Sequence, residues 1–285
     1  PDAAVDRLAR DAERIVREER AVFGELPAYE TGRYTLLGDF VPDAHSDGME
    51  HRNSAVMTAP VSLERDHADV LQTIAHEFFH GWNVERIRPR SIEPFAFDRA
   101  NASPDLWLAE GFTQYYGYLA LCRAGLVDLR DTVRAFSGLV TNLTAPSRLV
   151  RSAEESSLFA TLTDGATPVD RTNWSDTTVS YYFHGGALAL ALDLALRERS
   201  SGQVTLDDFM RAMWRAHGRP GGSRPGYVDR PYAITDVEAR LAEVSGDAGF
   251  AREFVSRYIR GTEVADYARL VAPAGLRVEI GRAHV

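Results

Sequence analysis

The chain has 285 residues, enough for one large domain or two small ones with a sizeable core. Its hydrophobic fraction of 45% and charged fraction of 26% are those of a globular protein, and no apolar run approaches the roughly 20 residues needed to span a membrane. A net charge of −9 gives no overall help in binding nucleic acid, which sets that partner class aside.

The single cysteine, Cys122, rules out an internal disulfide and a cysteine-rich metal site. It lies in the apolar stretch "YLALCRAGL" and reads as a small core residue. Apart from histidines, every basic side chain is arginine, a matter of composition and not of mechanism. Asn101, Asn142 and Asn173 stand in Asn-x-Ser/Thr sequons, which matter only in a eukaryotic secretory pathway that nothing here supports. The sequence opens on an amphipathic segment with no basic, apolar and cleavage regions of a leader. The expectation is a soluble protein of the bacterial cytoplasm or periplasm.

Residues 2–23 have helical period: Val5, Leu8, Ala12, Ile15, Val16 and Val22 share a face opposite Arg7, Arg14, Arg17 and Glu18. Glu19 breaks the pattern, because its angle places it on the apolar face. "RYTLLGDFV" (33–41) and "SAVMTAPVSL" (54–63) read as strands, and "PDAHSDGMEHRN" between them as a polar loop. Residues 67–83 and 104–125 read as helices, the second with proline near its start and glycine at its end. From residue 128 onward the pattern predicts helices and loops only. The expected organisation is α+β, in three stretches: a mixed part over 1–127, a helical part over 128–262, and residues 263–285, which fit neither.

"IAHEFFHGWN" (74–83) carries the chemistry. Helix positions i and i+4 share one face, so His76 and His80 can point two imidazoles at one ion. Glu77 is rotated about 100° from His76 and can flank that ion as a general base without binding it. A catalytic zinc needs a third protein ligand and one open position. The extended motif with a third histidine would need glycine at 83 and histidine at 86, where this chain has Asn83 and Arg86. The third ligand is therefore a carboxylate from a later segment. Glu85 and Glu93 are too close in sequence to fold back easily. Glu110, among Leu106, Trp107, Leu108 and Phe112, is the better candidate, because coordination would compensate its burial. An oxyanion donor is also required, and "SYYFHGG" offers Tyr181 and Tyr182, between which spacing does not choose.

"HEFFHGWNVERIRP", "LWLAEGFTQYY" and "SYYFHGGALALALDL" together resemble the M61 glycyl aminopeptidases, gluzincins related to the aminopeptidase N family. The resemblance runs over almost the whole chain and implies a thermolysin-like catalytic domain. It implies His76, His80 and Glu110 as ligands of Zn2+ and Glu77 as the base. "YFHG" is similar to the Tyr-x-Lys-Gly motif of the aminopeptidase N relatives, which selects Tyr182 as the oxyanion donor. The lysine position of that motif holds His184 here, which is a departure. "SDGMEHRNS" is similar to the segment whose glutamate holds the substrate's free α-amino group, which implies that role for Glu50. The strand that follows Glu50 has, on this reading, a free edge for substrate backbone. The resemblance also implies a β-rich domain before this region and a PDZ-like domain after it, with residues 263–285 leading into the latter.

The leading expectation is a zinc aminopeptidase acting on peptides with a free N-terminus and a small first residue, glycine or alanine. A zinc endopeptidase of the same fold, with Glu50 a bystander, is the second. A non-catalytic peptide-binding module is the third.

Overall fold

The computed structural model describes residues 2–162, 174–177 and 179–279, so the Asn173 sequon lies outside the described residues. Helix α1 (Asp2–Phe23) buries Ile15 and Val22 and turns Arg7 and Arg17 to solvent. Glu19 follows its helical angle inward despite its charge and is 0% exposed.

Three strands come next: β1 (Thr35–Asp39), β2 (Asp47–His51) and β3 (Ser54–Thr58), in the order β1-β3-β2. β3 runs parallel to β1 and antiparallel to β2. Two expectations are corrected here. The loop expected over 42–53 contains a strand, and the strand after Glu50 has no free edge, because both its sides are paired. The open edge belongs to β2, the strand that carries Glu50. β2 has one large apolar residue, Met49, which is exposed, so no hydrophobic alternation announces it. Pairing through the two-residue turn Arg52-Asn53 creates the strand.

Helix α2 (His67–Phe79) buries Leu71, Ile74 and Phe78 and ends at His80. The single helix expected over 104–125 is two segments, α3 (Leu106–Ala109) and α4 (Gly111–Arg123), joined at Glu110. The hydrogen-bond ladder continues through the joint, with Glu110 N–H donating to Leu106 O at 2.8 Å and Gln114 N–H to Glu110 O at 2.7 Å. Cys122 is half-buried in α4.

The remaining helices are α5 (Leu129–Thr141), α6 (Ala153–Leu158), α7 (Trp174–Thr177), α8 (Tyr181–Arg199), α9 (Leu206–Met213), α10 (Ile234–Ser245), α11 (Ala248–Phe254) and α12 (Tyr267–Val271). The described residues are thus α+β, with all three named strands before residue 59 and helices after. Residues 263–279 include α12, whose Tyr267 is buried and donates to Ala187 O at 2.8 Å.

Helix α8 is buried along most of its length and shows no single apolar stripe, as a helix covered on several sides requires. Gly185 lets it touch its neighbour backbone to backbone: a Cβ there would lie 1.9 Å from Trp107 O and 2.8 Å from Gly111 Cα. This approach sets the start of α8, with Tyr182, beside the α3–α4 joint that bears Glu110. The largest apolar cluster joins α1, α2, α4, α8 and the later helices through Phe79, Trp82, Phe112, Tyr116, Leu192 and Phe209. A smaller one, with Ile15, Met57, Leu71 and Ile74, seals α1 and the sheet onto α2. Among the described residues no helix is long and apolar enough to cross a membrane.

Candidate metal centre and catalytic cleft

His76 and His80 lie one turn apart with their rings edge to face at 4.7 Å. Each Nε2 lies 3.2 Å from the same carboxylate oxygen, Glu110 Oε2. Thus two adjacent turns of α2 and the α3–α4 joint deliver three ligand atoms within 4.8 Å of one another. A second group within the same reach is Glu50, Glu77 and His80. Neither Glu85 nor Glu93 takes part, because both carboxylates pair with Arg88, at 3.2 and 2.8 Å.

The proton inventory of the first group fits a cation. His80 Nδ1 donates to the Asn83 carbonyl at 2.6 Å, and a carbonyl only accepts. A neutral His80 ring therefore presents the Nε2 lone pair to Glu110, another acceptor. Such a pair needs a proton or a metal ion between its members. Two imidazole nitrogens and a carboxylate, held by the fold with further space beside them, are a donor set suited to a catalytic zinc.

The electrostatics arise from burial and crowding. Burial alone would raise Glu110, but His80 and His76 outweigh it and hold its carboxyl well below the usual range. His80 is pushed the other way. Burial lowers it, yet Glu110, Glu50 and Glu77 together raise it well above the ordinary histidine value. Burial raises Glu77, the two imidazoles oppose this, and Glu110 and Asp47 add to it. Glu50, half-buried on β2, is raised to about 7 by burial and by Glu110 and Glu77, against the pull of His80.

Glu77 is held against the sheet. Gly48 sits so close that a Cβ there would lie 2.2 Å from Glu77 Oε1. Glu77 Oε2 is buried and has no hydrogen-bond partner among the described residues. The hairpin turn that positions Glu50 and Gly48 is tied down by Arg86. This buried guanidinium donates to Arg52 O at 3.1 Å, Gly81 O at 2.7 Å and Ala28 O at 2.7 Å.

Asn83 is visible in the sequence only as a departure from another motif. It is fully buried, and its amide donates to Leu108 O at 3.0 Å, Ala109 O at 3.1 Å and Thr113 Oγ1 at 3.1 Å. With its carbonyl on His80 and its side chain on both sides of Glu110, it links two of the three ligand-bearing positions. No local pattern announces this, because the partners are 25 to 30 residues away.

A cleft of about 470 Å³ opens onto His76, Glu77 and Tyr182. The Tyr182 ring centroid is 5.8 Å from that of His76. Tyr181 is buried, stacked behind Tyr182 at 4.8 Å, and does not line the cleft. Burial, then Glu110, Tyr181, Glu50 and Glu77, raise the Tyr182 phenol well above its usual value, so it keeps its proton. His184 is fully buried, neither ring nitrogen has a partner among the described residues, and burial with Arg148 nearby holds it well below the ordinary value. It is neutral where a lysine would carry charge.

Residues 69–188 match the M61 glycyl aminopeptidase family model. This match covers less than half of the chain and likens that segment to the M61 peptidases. The matched segment contains every candidate site residue except Glu50. A crystal structure of an aminopeptidase N family protein from Idiomarina loihiensis is similar in fold to this chain, with a TM-score of 0.73 at 22% identity. The alignment covers 94% of this chain and 44% of that one, so this chain spans less than half of that protein's length. No curated protein matches it.

Proposed function

We propose that this chain is the catalytic part of a zinc aminopeptidase with a thermolysin-like site, removing glycine or alanine from peptides with a free N-terminus. The observation that carries the reading is the crowding of Glu50, Glu77 and His80 within 4.8 Å. In an amino-terminal residue the ammonium nitrogen is two bonds from the scissile carbonyl carbon. A carboxylate this close to the base and to a ligand histidine can hold that ammonium only if one residue precedes the bond.

His76, His80 and Glu110 would hold the ion. When bound, zinc lowers the pKa of water and polarises the substrate carbonyl. Glu50 accepts hydrogen bonds from the substrate ammonium, whose positive charge offsets the carboxylate crowding that raises Glu50. Glu77 takes a proton from the attacking water and delivers it to the departing amine. Tyr182 donates its O–H to the developing oxyanion. The preference for glycine or alanine rests on the family resemblance.

The test is hydrolysis of glycyl and alanyl anilides by zinc-loaded protein, each beside its N-acetylated twin. The expected result is cleavage of the free-amine substrates alone. Equal cleavage of both forms would make Glu50 a bystander and the site that of an endopeptidase.

A further inference from the structure

The cleft that opens onto Glu77 has a chemical character of its own. Its walls include Phe40, Met57 and Val61, and its polar lining includes Asp47 and Asp69. Both aspartates are exposed, and neither has an ion-pair partner among the described residues. Among the described residues no arginine lines the cleft.

Its direction is set by β2. Strand β2 runs from Asp47 to His51, and the turn at 52–53 closes the pair His51–Ser54. Hydrogen-bonded and non-bonded pairs alternate in an antiparallel ladder. Asp47 and Met49 therefore turn their backbone groups toward β3, and Gly48 and Glu50 turn theirs to the open edge. A peptide whose ammonium sits at Glu50 and whose chain runs antiparallel along this edge heads toward Gly48 and Asp47. Three residues of strand span about 10 Å. Glu50 is not part of the cleft lining, whereas Gly48, Asp47 and Ser46 are. The cleft thus receives the substrate residues beyond the scissile bond. Glu77, 5% exposed with Oε2 unpartnered, faces into it from the reaction side.

Resting on the aminopeptidase reading, the geometry points to a specificity beyond the first residue: this site selects peptides in which the small N-terminal residue is followed by lysine or arginine. The methylene stem of such a side chain lies along Phe40, Met57 and Val61, and its cationic head reaches Asp47 and Asp69. Long basic side chains bury their stems on apolar surface while keeping the charge in water. A glutamate in the same place meets two like charges, and a leucine gains the wall but leaves the aspartates unused.

The experiment compares Gly-Lys-Ala, Gly-Leu-Ala and Gly-Glu-Ala amides with zinc-loaded protein. The expected order of kcat/KM is Lys, Leu, Glu, with Lys ahead of Leu by about three- to tenfold, as two exposed ion pairs provide. The Lys-to-Leu ratio should fall toward one in the Asp47→Asn/Asp69→Asn double variant, and in salt that screens the pairs. Affinities of the three peptides for the zinc-loaded Glu77→Gln variant, measured by calorimetry, should follow the same order without turnover. Rates and affinities within twofold of one another across the series overturn the inference, as does a lysine preference that survives the double variant. Failure of the aminopeptidase reading looks different: N-acetyl-Gly-Lys-Ala amide would be cleaved as well as the free peptide.

Discussion

The candidate centre stands between two walls built on different terms. On the helical side, Asn83 holds His80 through its carbonyl and both flanks of Glu110 through its amide, and Gly185 locks α8 against the same joint. On the sheet side, Glu77 Oε2 has no partner, Glu50 is raised to about 7, and Asp47 carries no ion pair among the described residues. The first wall is fixed by hydrogen bonds that the protein makes with itself. The second concentrates negative charge that the imidazoles oppose only in part. On the proposed reading, ligand geometry and substrate recognition fall to separate parts of the fold.

The largest expected effect breaks the sheet side alone. Glu77→Gln keeps the shape of the side chain and removes its capacity to take a proton. Turnover of a glycyl anilide should fall by about 10²- to 10⁴-fold, while metal content by atomic absorption stays at the wild-type level. Loss of metal together with activity would show that Glu50, Glu77 and His80, and not His76, His80 and Glu110, hold the ion.

A change on the helical side should reverse that signature. Asn83→Ala leaves the backbone carbonyl on His80 but strips three donor contacts from the Glu110 segment. Removing groups that orient metal ligands typically lowers metal affinity by about 10- to 100-fold. We expect a loss in that range from chelator competition, with KM for the anilide little changed. An unaltered zinc affinity in a destabilised variant would reduce Asn83 to a packing role.

The same division explains what can be read in the sequence. His76 and His80 share a face by local helical period, and Glu110 stands out as a carboxylate in an apolar stretch. Both signals need nothing beyond the helix itself. β2 is illegible because an exposed edge strand carries no hydrophobic alternation, and so the pattern places the pairing edge one strand too late. Tyr181 and Tyr182 differ by about 100° of helix rotation. Only the docking of α8 through Gly185 determines which of them lines the cleft. Asn83 and Arg86 act through contacts distant in sequence, so neither is recognisable by pattern. Glu50 is reached by resemblance, and residue chemistry alone gives no reason to select it.

Glu19 sharpens the comparison from behind the centre, with the smallest expected effect. Like Glu110, it is a glutamate on a helix among apolar residues, but neither of its oxygens has a hydrogen-bond partner among the described residues. Burial raises it well above the ordinary value of 4.5, and the attraction of His80 only partly opposes this. The folded state therefore keeps a proton that the unfolded chain releases. Its contribution is undiminished below about pH 4.5 and is lost as pH rises toward the folded-state value. Glu19→Met preserves length and removes the titration. The variant should be more stable than wild type at neutral pH by about 1–3 kcal/mol, the cost of an unsatisfied buried polar group, and the gap should be largest at neutral pH and narrow toward pH 4 as the titration contribution vanishes. Denaturant unfolding at the two pH values measures it. If Glu19→Met instead lowers both stability and zinc affinity, the buried acid supports His80 from behind, and the helical wall, like the sheet wall, holds a carboxylate in reserve for a positive charge.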